Sequence, residues 1–319
     1  MDTQSKIILI SGQTASGKSN FAVKVAKKVN GEIINADSMQ VYKELRILTA
    51  QPKKKDQKNI KHHLFGVIDI NRKFSTGQWL KLVIKTIKDI KKKNKIPILV
   101  GGTGLYFQSL INGLVKIPKI PITFRKKIRS IQKKKGQKKF YKKLQKLDPN
   151  IKNKINPNDV QRSIRAFEIK LYTKISLYDW INKTKSEFND NEFLKLYIDF
   201  KREELIKNIS LRTTRMIKEG AIQEVKKFIK RKIKKDHSVR KVIGIDELTH
   251  FIKKKTNLNE AKELISIKTR QYAKRQATWA RSRMVDWKKI NPTKLSDYLK
   301  RLNKSSLKLD QWAQLQLDC

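Results

Sequence analysis

The stretch Lys6–Val29, KIILISGQTASGKSNFAVKVAKKV, decides the fold. Its first residues form an apolar run that predicts a buried strand, and apolar residues recur at helical spacing from Ser19 to Val29. Between them, Gly12–Ser19 fits the pattern G-x-x-x-x-G-K-[ST], and a strand before it and a helix after it are the context that this pattern needs. The stretch therefore predicts a loop that binds the phosphates of a ligand at the start of a helix.

Each residue type in this loop suits a phosphorylated ligand. Glycines let backbone amides turn toward phosphate oxygens, and the helix N-terminus adds positive potential. Lys18 brings a point charge, and the Ser19 hydroxyl is placed to bind Mg²⁺, which we expect as the cofactor. The predicted ligand-binding residues are Gly12, Gln13, Thr14, Ala15, Ser16, Gly17, Lys18 and Ser19. The pattern predicts a pyrophosphate-containing ligand and does not say which one.

Strands and helices alternate along the first hundred residues. Apolar runs predict strands at Glu32–Ala36 and Ile96–Val100, and helical spacing predicts a helix at Trp79–Lys92. This order predicts an α/β fold, a P-loop NTPase-like parallel sheet flanked by helices. The apolar run Leu194–Phe200 is predicted to return the chain to the sheet.

The composition changes after Pro118. From there to about residue 193 we predict no buried strand, and the helical patterns are short, very basic and broken by Pro149 and Pro157. The predicted domains are therefore the first part of the core (1–117), a helical insertion (118–193) and the second part of the core with basic C-terminal helices (194–319). In that last part helical spacing predicts Arg202–Ile217, Ala221–Ile229, Leu258–Trp279 and Lys294–Leu302.

The charge of the chain is high. Lys+Arg is 76 and Asp+Glu is 28, which gives a net charge of +48 and an affinity for polyanions. Lysine far outnumbers arginine and Ile and Asn are plentiful, so an AT-rich coding bias is an alternative source of runs such as Lys53–Lys55. No uncharged apolar run approaches about 18 residues, which excludes a membrane-spanning helix. Cys319 is the only cysteine, which excludes a disulfide framework and a Cys-based metal site. With no secretory signal, we expect a cytoplasmic protein.

Carboxylates follow two of the apolar runs. Asp37 comes directly after Glu32–Ala36, at the end of a strand where a parallel sheet forms its ligand crevice. The alternative is that Asp37 caps the next helix, and Asp69 is predicted to be a structural cap or ion-pair partner. His62 and His63 are adjacent and have no spaced partner, so we predict packing or hydrogen bonding for them rather than a metal site.

Several strings of the sequence occur together in one order. They are GQTASGKS (Gly12–Ser19), NADSMQVYK (Asn35–Lys43), TAQP (Thr49–Pro52), HHL (His62–Leu64), VGGTGLYFQSL (Val100–Leu110), NPNDVQRSIRAFE (Asn156–Glu168) and TRQYAKRQATWAR (Thr269–Arg281). Over about residues 6–285 the chain resembles the tRNA dimethylallyltransferases, also called tRNA isopentenyltransferases.

The resemblance implies that dimethylallyl diphosphate and tRNA are the substrates. A dimethylallyl group would move to N6 of the adenine on the 3′ side of the anticodon (position 37), diphosphate would be released, and the enzyme would act as a monomer. Asp37 would be the general base, Lys18 and Thr103 would lie at the reacting groups, and Arg212 would contact the pyrophosphate. The implied tRNA contacts are Asp37, Ser38, Met39, Gln40, Thr103, Arg125, Gln161, Arg162, Ser163, Ile164 and Arg165.

Three further points concern the same substrates. Arg275 lies in the segment Lys268–Arg283, where basic and aromatic residues alternate as on nucleic-acid surfaces, and we predict it as a tRNA contact. The chain departs from the family at Asn208, where an arginine is common, and at Ile245, where an aromatic residue is usual. Both departures affect expected substrate contacts.

Two other functions stay open on the residues alone. One is a small-molecule kinase that binds ATP in the loop and uses Asp37 as the base for a hydroxyl group. The other is a non-catalytic P-loop protein that binds nucleic acid. The kinase leaves the basic insertion unexplained, and the binding protein leaves Asp37 unexplained.

Overall fold

The computed structural model of the protein describes residues 6–234 and 237–302. Within these ranges the strands are β1 (Ile7–Gly12), β2 (Gly31–Asn35), β3 (His62–His63), β4 (Ile96–Gly101), β5 (Phe193–Ile198) and β6 (Lys288–Ile290). The helices are α1 (Lys18–Val29), α2 (Lys54–Gln57), α3 (Thr76–Lys91), α4 (Gly104–Ile111), α5 (Ile122–Leu147), α6 (Val160–Thr173), α7 (Leu177–Asn182), α8 (Arg202–Lys218), α9 (Ala221–Lys230), α10 (Ile245–Ile252), α11 (Leu258–Arg283) and α12 (Leu295–Arg301). None of these helices has the length and low charge needed to cross a membrane.

The predicted parallel sheet is confirmed. In the described residues it has six strands in the order β3-β2-β4-β1-β5-β6, and every pairing is parallel. All residues of β1 and β4 are buried, because helices cover both faces of the sheet. Phe21 and Val25 of α1 pack in the core on one face, and Trp79 and Val83 of α3 pack in the core on the other.

The two edge strands are short and polar, and neither was predicted. β3 consists of two histidines, and β6 has two lysines among its three residues. His63 Nε2 lies 2.7 Å from Glu32 Oε2, and Lys95 Nζ donates to Glu32 Oε1 at 2.8 Å. His62 Nδ1 lies 2.8 Å from the Ile60 carbonyl oxygen. These contacts give both histidines structural hydrogen bonds.

The carboxyl ends of β1, β2 and β4 come together at one edge of the sheet. A side chain at Gly101 would overlap the Ala36 carbonyl group, so only glycine allows β4 to end this close to β2. The close approach lets the Thr103 amide donate to the Ala36 carbonyl at 3.3 Å. In the sheet, β4 and β2 lie on one side of β1, and β5 lies on the other side. The strand order therefore reverses at β1, and the carboxyl ends of the strands at such a point are the usual place of a ligand crevice.

A separate apolar cluster joins α9, α10 and α11 to the segment after Asp37. Val41, Leu45 and Leu48 of that segment are buried in it. Ile245, which departs from the family pattern, lies in the same cluster and is 1% exposed. An apolar core thus holds the segment after Asp37 in place.

Residues 112–187 form a compact unit of their own. Its helices α5, α6 and α7 enclose a core that includes Phe140, Leu144 and Phe167. The unit begins and ends six residues before the predicted insertion, because Phe188 and Phe193 pack in the core of the sheet. α5 is longer than the short helices predicted there, and it contains a break at Gly136, where φ is 70°.

Candidate active site

The loop Gly12–Ser19 joins β1 to α1, as the pattern predicts. Ala15 and Gly17 have φ of 63° and 78°, so the backbone turns in the left-handed region at both positions. No side chain caps the N-terminus of α1, and the hydroxyl of Ser16 is buried with no hydrogen-bond partner among the described residues. Uncapped amides and a buried hydroxyl at a helix N-terminus form a site for an anion.

Lys18 lies across this loop. Its Nζ donates to the Gln13 carbonyl oxygen at 3.0 Å. Burial lowers the pKa of Lys18 to about 8, while the charge of Asp37 acts to raise it and that of Arg212 acts to lower it. The ammonium group is therefore close enough to both residues to respond to their charges, and most of it is protonated at neutral pH.

Helix α8 supplies the second cation. Arg212 Nη1 donates to Thr14 Oγ1 at 2.6 Å. Burial lowers the pKa of Arg212, and Asp37 opposes this shift. One turn earlier, Asn208 Nδ2 donates to the Ala15 carbonyl oxygen at 3.4 Å. The residue that departs from the family pattern thus contacts the loop through a neutral amide.

Asp37 is held at the carboxyl end of β2 by its own neighbours. Asn35 Oδ1 accepts from the Asp37 amide at 2.8 Å, and Asp37 Oδ1 accepts from the Met39 amide at 2.8 Å. The alternative that Asp37 caps the next helix is wrong, because that helix does not begin until Lys54. Asp69, by contrast, accepts from the Asn71 amide in an exposed turn, a structural role as predicted.

Thr103 follows β4 and faces Asp37's segment. Its Oγ1 accepts from the Ser38 amide at 3.0 Å. The Tyr272 hydroxyl lies close enough to Thr103 and Gln276 for both side chains to act on its pKa, which they lower. Burial raises the pKa of Tyr272, and Asp37 raises it further, so this phenol stays neutral and can donate a hydrogen bond at physiological pH. Asp37, Thr103 and Tyr272 therefore form one polar group beside the two cations.

Gln276 on α11 is a site residue that the sequence analysis missed. Its Oε1 accepts from the Thr14 amide at 2.8 Å, and its Nε2 donates to the Gly102 carbonyl oxygen at 2.9 Å. A side chain at Gly102 would overlap this Nε2. Gln276 thus joins the phosphate loop to the loop after β4. Its position within the string KRQATW was the available signal.

Arg275 lies on the outer side of α11, where its guanidinium is 5.8 Å from the centre of the Tyr272 ring. A groove of about 460 Å³ runs beside it and is lined by Gln271, Lys274, Arg275, Thr278, Trp279 and Ser282. Trp279 packs against the core, and its buried Nε1 has no hydrogen-bond partner among the described residues. The groove is open, basic and partly aromatic.

The predicted contact segment Ser38–Gln40 is half-buried. Gln40 Nε2 donates to the carbonyl oxygens of Thr49 and Ala50 at 2.8 and 3.1 Å, and Met39 packs against the apolar cluster of α9–α11. The Gln40 side chain therefore fixes the turn TAQP, and the exposed parts of the segment lie beside Asp37.

The predicted residues of α6 divide between its two faces. Gln161 and Arg162 are exposed, and Arg165 is half-buried. Ser163 and Ile164 are 0% and 5% exposed and lie in the core of the 112–187 unit, so their side chains do not face solvent. Arg125 of α5 belongs to the same unit, and its Nε donates to Glu168 Oε2 at 3.2 Å.

Few groups of the chain could hold a metal ion at this site. The described residues contain no cluster of three His, Cys, Asp or Glu side chains suited to a metal. Ser19 is exposed in the first turn of α1 and offers one hydroxyl oxygen. This donor set fits Mg²⁺, which keeps several waters and is commonly bound through substrate phosphates and one or two protein oxygens.

Comparison with known proteins gives consistent matches. The family model described as IPP transferase matches residues 40–283. The tRNA dimethylallyltransferase of Pelagibacter ubique is 72% identical over 311 residues, which cover 98% of this chain and 99% of that protein. The tRNA dimethylallyltransferase of Rickettsia massiliae is 39% identical and covers 94% of this chain and 83% of its own.

Solved structures also match over nearly the whole chain. A eukaryotic dimethylallyltransferase, captured in crystallographic snapshots acting on tRNA, matches with a TM-score of 0.80 and 31% identity, over 97% of this chain and 77% of that one. The tRNA isopentenylpyrophosphate transferase of Bacillus halodurans matches with a TM-score of 0.69 and 29% identity, over 98% and 99% of the two chains.

Proposed function

This chain belongs to the IPP transferase family and is a tRNA dimethylallyltransferase, and on this basis we propose which atoms carry out the transfer. The donor is dimethylallyl diphosphate, and the acceptor is N6 of the adenine at position 37, on the 3′ side of the anticodon. The bond from N6 to the first carbon of the dimethylallyl group forms, the bond from that carbon to the diphosphate oxygen breaks, and one proton leaves N6. The observation that carries the proposal is a carboxylate, Asp37, close enough to two half-buried cations, Lys18 and Arg212, to act on the pKa of each.

The cations and the loop bind the diphosphate and stabilise it as it leaves. Negative charge on the leaving oxygen grows as the carbon–oxygen bond breaks, and preorganised cations in a buried site lower the energy of that state. Lys18 supplies a point charge at the loop, and Arg212 supplies a planar group of donors already fixed by Thr14. The uncapped amides of α1 add positive potential on the same side.

Asp37 is the proposed acceptor of the N6 proton. Its Oδ1 is engaged by the Met39 amide, which leaves Oδ2 as the oxygen that takes the proton. Thr103 and Tyr272 position the adenine beside this oxygen, since the Tyr272 hydroxyl lies near both Thr103 and the carboxylate. An ionised carboxylate is the suitable base for an amine that becomes acidic only as its new bond forms.

Mg²⁺ is the proposed cofactor, with Ser19 as its ligand from the protein. When bound together with the diphosphate, the ion would neutralise part of the negative charge of the leaving group. The exposed Ser19 hydroxyl in the first turn of α1 supports this position.

The proposed tRNA contacts lie in both units. In the sheet unit they are Asp37, the exposed parts of Ser38–Gln40, and Arg275. In the 112–187 unit they are Arg125, Gln161, Arg162 and Arg165. We propose that the enzyme acts as a monomer, because the proposed reaction uses no catalytic group beyond those described here. Because tRNA is the substrate, we place the enzyme in the cytoplasm.

Membership of a transferase family counts against the two functions that the residues left open. A kinase would use the same loop and the same Asp37, and a non-catalytic binding protein would use the same basic surfaces. The kinase has no use for an RNA-binding unit, and the binding protein has no use for a proton acceptor beside a diphosphate site. The transferase needs both features. Binding of ATP to the loop remains compatible with the transferase.

The test measures transfer from labelled dimethylallyl diphosphate to unmodified tRNA, with labelled ATP as the control donor. We expect label from the first donor only, attached to N6 of adenine 37. The variant Asp37→Ala should lower turnover by roughly 10²–10⁴, the range for loss of a general base, while tRNA affinity changes little. Equal losses of affinity and rate would make Asp37 a binding residue and contradict its catalytic role.

A further inference from the structure

Glu168 is a buried carboxylate surrounded by three arginines of the 112–187 unit. Its Oε2 accepts from Arg125 Nε at 3.2 Å and from Arg165 Nη1 at 3.3 Å. Arg129 Nε lies 3.8 Å from Oε1. The Glu168 side chain is 1% exposed, and Oε1 has no hydrogen-bond partner among the described residues. The carboxylate is therefore screened from water, and these arginines compensate its negative charge.

The cluster carries more positive charge than the carboxylate can neutralise. One carboxylate balances one guanidinium, so Arg125, Arg129 and Arg165 leave two positive charges in excess. Each arginine contacts Glu168 through one nitrogen of a guanidinium that has five N–H donors. Their side chains are 41%, 52% and 42% exposed, so the remaining donors reach the surface. Like charges held this close repel each other unless an anion binds between or beside them.

We propose that Glu168 is a positioning residue that holds these three arginines as one phosphate-binding cluster for the RNA substrate, with Arg129 as an additional contact. The proposal rests on the proposed function, since it takes the anion to be the tRNA backbone. A guanidinium binds phosphate with two parallel hydrogen bonds, and this geometry requires its plane to be fixed. Glu168 hydrogen-bonds Arg125 and Arg165 and lies within ion-pair distance of Arg129, so it holds the three guanidinium groups together from inside the unit.

The exposed pair Arg162–Asp159 provides a contrast. Arg162 Nη1 lies 3.4 Å from Asp159 Oδ2 on the same helix, and the arginine side chain is 58% exposed. Its carboxylate partner is 31% exposed and also caps α6 through the Arg162 amide. Such a pair contains one positive and one negative charge, so it has no net charge, although the exposed Arg162 side chain can still contact tRNA. The Glu168 cluster differs in both burial and net charge.

The variant Glu168→Gln separates positioning from simple charge. Glutamine has nearly the same shape, and the substitution makes the chain more positive by one charge. If Glu168 only neutralised arginine, the variant would bind tRNA as well as the parent or more tightly. If Glu168 orients the cluster, tRNA binding should weaken by roughly ten-fold, as for a lost charge-assisted hydrogen bond. The Michaelis constant for tRNA should rise while kcat at saturating tRNA stays unchanged.

Glu219→Gln is the matched control. Glu219 pairs with Lys53 at 2.8 Å in the other unit, and the two side chains are 32% and 47% exposed. Its substitution adds the same charge without touching the arginines, so tRNA affinity should equal or exceed that of the parent. Weakening as large as that of Glu168→Gln would overturn the positioning role.

Arg129→Gln tests whether Arg129 contacts the tRNA. It also tests the phosphate-binding cluster if Glu168→Gln does not fold, and thermal unfolding of Glu168→Gln would reveal such a failure. The Arg129 side chain is half exposed, so the substitution leaves the core intact. The slope of log affinity against log salt concentration should flatten by about 0.7–0.9, the value for one phosphate contact. An unchanged slope overturns the proposal. All binding is measured without dimethylallyl diphosphate, so a parent that binds tRNA but transfers nothing would count against the proposed function alone.

Discussion

Raising the pH through the pKa of Lys18 should progressively lower kcat/KM for the diphosphate donor. Burial lowers this pKa to about 8, from an ordinary value of 10.5, so the charged form is lost as the pH rises through about 8. About three quarters of the free enzyme carries the Lys18 charge at about pH 7.5, and about a tenth carries it at about pH 9. Because only the ammonium form attracts diphosphate, kcat/KM for dimethylallyl diphosphate should fall about ten-fold per pH unit above the pKa.

The assay is the initial rate of transfer from labelled dimethylallyl diphosphate at saturating tRNA, measured across this pH range. Lys18→Arg should keep its charge throughout and move the fall in kcat/KM to much higher pH. Lys18→Ala should abolish the fall near pH 8 and lower turnover by roughly 10²–10³, because one preorganised cation is missing. If the Lys18→Ala variant still showed the same fall, another group would be titrating and the reasoning would be refuted.

Two further predictions concern the sheet edge and the basic charge. Gly101→Ala should lower the free energy of unfolding by about 1–3 kcal/mol and reduce turnover, because its methyl group would overlap the Ala36 carbonyl; a parent-like thermal midpoint would contradict this. Arg165→Ala should weaken tRNA binding and flatten its salt dependence by about 0.7–0.9, whereas neutralising Lys53–Lys55 should flatten it much less; an equal effect would mean that diffuse lysine charge binds the tRNA.

The central part of the fold could be predicted from the sequence because burial leaves a simple pattern there. β1 and β4 are covered on both faces and therefore appear as unbroken apolar runs. The edge strands β3 and β6 could not be found this way, since two histidines and a lysine pair give no apolar pattern. Their place in the sheet depends on neighbours far away in the sequence.

The site residues also divide into those that a local sequence pattern predicts and those that depend on residues far away in the sequence. The loop Gly12–Ser19 could be predicted because its contacts with a phosphate depend on local backbone geometry. A helix turns by about 100° per residue, so the string of residues 161–165 presents some side chains to solvent and buries Ser163 and Ile164. Gln276 was missed because a helical pattern does not tell which of its polar residues meets a loop near the other end of the chain.

The phosphate loop is translated well before the residues that support it. Thr14 accepts from Arg212 across 198 residues of sequence, and its amide is held by Gln276 across 262 residues. A ribosome adds about 5–20 residues per second, so the nascent loop waits on the order of ten seconds or more for these partners. A nascent chain that stops before α11 has the phosphate loop without the residue that joins it to the rest of the site. Diphosphate binding should therefore report that synthesis of the polypeptide has passed α11.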